Sequence, residues 1–123
     1  MSKNPLNLGF RFLLELAALF ALGYWGWTTH FSATRFLWGI GLPILAMIIW
    51  GTFAVPNDPS RSGKAPIPTP GIVRLLLELT FFALGTWAFL AAGQPTWGWL
   101  LGGLTILHYV LSYDRIEWLM QKK

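Results

Sequence analysis

The sequence predicts an all-α fold, an integral membrane four-helix bundle. Three observations lead there. Hydrophobic residues make up 54% of the 123 residues and charged residues only 11%, where soluble domains are about one quarter charged. The charges are clustered, and none falls between Glu15 and Arg35, between Arg35 and Asp58, or between Glu78 and Asp114. The apolar stretches between them suit helices crossing a bilayer core of about 30 Å, which takes roughly 20 residues each. Strands of a membrane barrel would need short alternating runs, and none appear. The length allows one domain. The chain has 0 cysteines, which excludes disulfides, thiolate metal sites and cysteine nucleophiles.

The first helix is expected over Leu8–Trp27. Arg11 and Glu15 interrupt the apolar run that a cleavable signal needs, so this helix is expected to stay. The second is expected over Phe36–Val55. It has no polar stripe at helical period, as a water-facing helix would, and Pro43 should bend it. A proline-rich linker, residues 56–70, follows, with Pro56, Pro59, Pro66, Pro68 and Pro70 among the chain's 8 prolines. Proline removes backbone donors, so this stretch cannot continue a helix. It reads as a cytoplasmic connector, with a docking loop as the alternative. The third helix is expected over Gly71–Ala92. After the break Gly93-Gln94-Pro95-Thr96, the fourth is expected over Trp97–Trp118. Asp114, Arg115 and Glu117 near its end read as facing solvent.

Orientation follows from the basic residues. Lys3, Arg11, Arg61, Lys64, Arg74, Arg115, Lys122 and Lys123 fall on one side, and only Arg35 falls on the other. The expected placement is multi-pass in the cell inner (cytoplasmic) membrane, with both termini cytoplasmic. Trp25, Trp27, Trp38, Trp97 and Trp99 then form an outer interfacial belt. The net charge of +4 suits the anionic lipid of the inner surface. The basic residues form no stripe with exposed aromatics, so no nucleic-acid partner is expected. The expected partners are membrane lipids, another copy of the chain, or a membrane protein.

The chain also repeats itself. Arg11-Phe-Leu-Leu-Glu15-Leu16 matches Arg74-Leu-Leu-Leu-Glu78-Leu79, and Leu19-Phe-Ala-Leu-Gly23 matches Phe81-Phe-Ala-Leu-Gly85. Two helices return the chain to the same side, so the halves form a parallel repeat of two helical hairpins. At i, i+4 each Arg and Glu share a helix face. Each Glu lies seven residues inside its helix, about 10 Å deep at 1.5 Å per residue. An arginine can snorkel from there to the headgroups, but a carboxylate needs a partner, a water or a proton. The two-fold repeat predicts crossed pairs, Arg11 with Glu78 and Arg74 with Glu15; pairing within each helix is the simpler alternative. His108 is expected at the same depth, with Ser112 one turn away. The candidate polar intramembrane site is therefore Arg11, Glu15, Arg74, Glu78, His108 and Ser112, either a vestibule open to the cytoplasm or a satisfied packing network.

No nucleophile elbow, phosphate loop or HExxH run is present, so an enzyme is not expected. Within one copy of the chain, His30 and His108 lie too far apart to share a haem. No cofactor and no metal are expected. The paired R-x-x-x-E segments and the run Trp50-Gly51-Thr52-Phe53 with Pro56 resemble the YrdB-like family of small uncharacterised bacterial membrane proteins. Arg11, Glu15, Trp50, Gly51, Pro56, Arg74 and Glu78 carry the resemblance. It implies four membrane spans and transfers no mechanism. The leading expectation for function is a small-solute or ion transporter or channel, with proton coupling through the carboxylates; the alternatives are a scaffold or accessory subunit of a membrane complex and, second, a lipid or apolar-ligand binder. A slot between the first and third helices would favour transport. A dry, fully paired core would favour the scaffold.

Overall fold

The computed structural model describes residues 4–56, 58 and 65–122. The basic residues Lys3, Arg61, Lys64 and Lys123 and the middle of the proline-rich linker lie outside the described residues.

Helix α1 (Pro5–Thr29) begins where the Asn4 side chain accepts the Leu6 N–H at 2.9 Å. Pro5 sits in the first turn, where its missing N–H is not needed. After a turn in which Ser32 has φ 60°, the chain enters α2 (Thr34–Thr52). Strand β1 (Phe53–Ala54) then pairs in parallel with β2 (Ile67–Pro68), Phe53 opposite Ile67. The Thr69 N–H donates to the Ala54 carbonyl at 2.9 Å, so the two ends of the linker are clipped together. Helix α3 (Gly71–Ala91) follows. Gly93, with φ 78°, makes the left-handed turn that glycine tolerates best, and Pro95 opens α4 (Pro95–Leu111).

The fourth helix differs from the expectation that it runs unbroken to Trp118. It stops at Leu111, and α5 (Tyr113–Gln121) begins after Ser112, whose φ of -107° and ψ of 34° lie outside the helical well. The kink turns α5 beneath the bundle, where it buries Arg115 and Leu119. The fold is all-α but for the two-residue clip. Three of its helices, α1, α2 and α3, are long and apolar enough to cross a membrane.

Helix α1 lies between α2 and α3, and α3 in turn carries α4 and α5. Small residues set the close crossings. A Cβ placed on Gly23 would lie 2.9 Å from the Gly39 carbonyl oxygen and 3.1 Å from Pro43 Cγ. A Cβ placed on Gly85 would lie 2.9 Å from Ala18 Cβ, so α1 and α3 meet with no slot between them. Gly98 and Gly102 fit against Leu90 and Thr86, which ties α4 to α3. Lipid is as apolar as leucine, so close van der Waals packing of this kind holds helices together in a bilayer. The core is formed by Leu14, Ala18 and Ala21 of α1, by Phe81, Phe82, Ala88 and Phe89 of α3, and by Leu101 and Tyr109 of α4. Helix α2 buries none of its residues. Leu13, Ile44, Ile48, Ile106 and Val110 are all exposed, a surface that would aggregate in water and is at home in lipid.

Candidate functional site

The polar residues gather at one end of the bundle, where α1 and α3 begin and α2 and α4 end. Glu78 is their centre and is 0% exposed. Its Oε2 receives Arg74 Nε at 3.0 Å, Arg11 Nη2 at 3.0 Å and Arg115 Nη2 at 2.5 Å. Its Oε1 receives the Tyr109 hydroxyl at 2.7 Å and Arg115 Nε at 3.4 Å. Arg115 also grips Asp58 with a two-pronged contact, Nη1 to Oδ1 at 2.7 Å and Nη2 to Oδ2 at 2.9 Å, the geometry that favours arginine over lysine. Arg74 donates through Nη1 to the Trp50 and Phe53 carbonyls, both at 2.7 Å. It thereby brings positive charge to the end of α2, where the helix dipole is negative, and its guanidinium lies 4.3 Å from the Trp50 ring centroid.

A second arm leads through His108. Arg11 Nε contacts Glu15 Oε1 at 3.2 Å, and Arg11 Nη1 lies 3.4 Å from His108 Nε2. An arginine only donates, so Nε2 accepts. The proton is then on Nδ1, which faces Asn7 Oδ1 at 3.2 Å, and the Asn7 amide donates to Ser112 Oγ at 2.6 Å. This assignment rests on the hydrogen-bond pattern, and it makes His108 a neutral bridge between α1 and α4.

All six residues read from the sequence thus join one network. Arg11 does cross between helices to Glu78, whereas Arg74 Nε binds the Glu78 of its own helix. Asn7, Asp58 and Arg115 were not anticipated, and Tyr109 joins them from α4. Arg115 was expected to face solvent and is instead 3% exposed, because the kink at Ser112 turns it inward. Arg11, Arg74 and Arg115 balance Glu15, Glu78 and Asp58, so the cluster carries no net formal charge. That balance is what a charged group needs to persist away from water. Only Glu15 retains notable access, with a side chain 23% exposed. Among the described residues no group of three or more His, Asp or Glu side chains is placed to hold a metal ion.

Asn7 links α1 to the last turn of α4 and to Ser112 at the kink, so removing its amide strands two buried partners. Asn7→Ala is expected to cost about 1–3 kcal/mol, read as a lower unfolding midpoint in detergent. A value within the scatter of wild type would mean that the His108 arm is not structural.

Comparison with known proteins places the chain in a family. The profile of a family described as "Protein of unknown function (DUF2568)" matches residues 9–106. The chain belongs to the DUF2568 family. It is also 40% identical over 119 residues to the uncharacterized protein YrdB of Bacillus subtilis (strain 168), covering 97% of each chain. The relation anticipated from the paired R-x-x-x-E segments therefore holds. The DUF2568 match takes in Arg11, Glu15, Asp58, Arg74 and Glu78, and it ends before His108 and Arg115. No solved structure matches. That relative is bacterial, and several helices of the present chain are long and apolar enough to be membrane spans.

Proposed function

We propose that this chain is a non-catalytic scaffold or accessory subunit of a membrane complex. In this reading α4, 17 residues long, is a fourth span at the short end of the workable range. Both termini are cytoplasmic, and the chain is a parallel repeat of two hairpins, α1–α2 and α3–α4. The observation that carries the reading is the closure of the ion cluster. Glu78 accepts from three arginines and a tyrosine, its side chain is 0% exposed, and α1 and α3 meet in direct contact beside it. A carboxylate that handled a proton or cation would need a water-filled approach. Charge-balanced, and closed around Glu78, the cluster instead acts as a pin through α1, the end of α2 with β1, α3, α4, α5 and the start of the linker. Helix α2, held along one side by α1 and at its end by Arg74 and the Trp50 packing on α3, buries no residue and leaves its other faces for lipid or a partner's helix.

The experiment has two arms. Gentle native purification is expected to bring down a membrane partner in fixed stoichiometry. Proteoliposomes of the purified chain are expected to show no pH-driven flux across a broad solute screen. Repeated isolation of the bare chain, together with uptake that disappears in E15Q/E78Q protein of intact fold, would replace this reading with the transport one.

A further inference from the structure

The lateral groove between α1 and α4 is a second feature, separate from the ion cluster. Two cavities run into each other there, about 610 Å³ and 260 Å³, both lined by Ala17, Phe89 and Trp97. Phe89 of α3 forms the floor. The groove exists because α1 and α4 are each packed on α3 and touch each other little. It extends along α1 from Phe10 to Tyr24, about 21 Å at 1.5 Å per residue. Its walls are apolar except at the end remote from the ion cluster. There the Tyr24 hydroxyl accepts from Gln94 Nε2 at 3.2 Å, which leaves the Tyr24 O–H to donate to a ligand oxygen.

We propose that this groove holds one acyl chain of a phospholipid, with the ester or phosphate oxygens of that lipid at Tyr24 and Gln94. Two features select this occupant. A leaflet's share of the hydrocarbon core is about 15 Å, so the groove is long enough for one chain. Its polarity runs from wholly apolar to hydrogen-bonding at the interface end, as a lipid's does. Specificity comes from the polar end, because apolar walls alone would take any lipid tail.

The inference is independent of the scaffold reading and is tested on the full chain by native mass spectrometry from detergent. The wild-type chain is expected to retain one phospholipid. Ala17→Trp, which fills the point shared by both cavities, should lower that occupancy at least fivefold. Ile48→Trp, on the exposed surface of α2, should leave it unchanged, and Tyr24→Phe should lower it about threefold. Should Ala17→Trp fail to fold, wild-type protein in vesicles of phosphatidylglycerol with a photoreactive acyl chain answers the question. Labelling is then expected to concentrate on residues 13–24 and 97–104. No retained lipid, equal occupancy in the two Trp variants, label spread evenly over α2, or a protein partner that displaces the lipid would each overturn the proposal.

Discussion

Glu78→Ala is expected to be the most damaging single substitution in this chain. It removes the one carboxylate shared by Arg11, Arg74 and Arg115 and the acceptor of the Tyr109 hydroxyl. Three guanidiniums would then face one another with, among the described cluster residues, Asp58 and Glu15 as the remaining carboxylates. Breaking a buried ion pair from one side costs about 3–5 kcal/mol, since the remaining charge is stranded. In a three-arginine cluster the upper part of that range is expected. Glu15→Ala sets the scale. Glu15 pairs with Arg11 and is partly solvated, so its loss should cost no more than about 1 kcal/mol. Glu78→Gln keeps the volume and two polar atoms and should fall between them. The measurement is unfolding by sodium dodecyl sulfate, followed through the fluorescence of the 8 tryptophans. If Glu78→Ala and Glu15→Ala unfold at the same point, Glu78 does not hold the bundle together.

The asymmetry between the two carboxylates was hidden in the sequence, where Arg11–Glu15 and Arg74–Glu78 read as equals. What could be read there was local: apolar stretches of span length, and charges lying too deep in them to be mere topology signals. The depth of Glu15 and Glu78 made both candidates, and both belong to the cluster. What separates them comes from elsewhere in the chain. Asp58 stood in a proline-rich linker among turn signals, and Arg115 stood between Asp114 and Glu117 like a solvated helix end. Both are buried only because β1 clips to β2 and because α4 breaks at Ser112. Those are long-range events with weak local signatures. One usable signal was present. Arg115 and Leu119 share a helix face at i, i+4, which marks the last turns as amphipathic rather than wholly exposed. Asn7 was missed for a related reason, since a polar residue in the first turns of a helix ordinarily meets headgroups or water.

Gly71→Ala is expected to release α5 and so expose the cluster from below. Gly71 opens α3, and its N–H donates to the Lys122 carbonyl at 2.8 Å. A Cβ added there would run into the backbone carbonyl of Leu119. Neither is the end of a flexible side chain, so α5 itself must move. Overpacking of this kind costs about 1–3 kcal/mol. Its further effect is geometric: as Leu119 leaves its seat, Arg115 loses its register on Asp58 and Glu78. Gly103→Ala is the matched control, because a Cβ there meets nothing within 4 Å. Alanine is the better helix former by about 1 kcal/mol, so that variant should be as stable as wild type or slightly more so. Hydrogen exchange gives the local readout. Amides of residues 113–121 should exchange at least tenfold faster in Gly71→Ala than in Gly103→Ala, while those of α1 and α3 beyond the first turns change little. Uniform acceleration along the chain would mean that α5 and the bundle open as one unit. Unchanged exchange would mean that α5 is not held by its contact with Gly71. A selective effect on α5 would identify that helix as the cover that keeps the cluster dry.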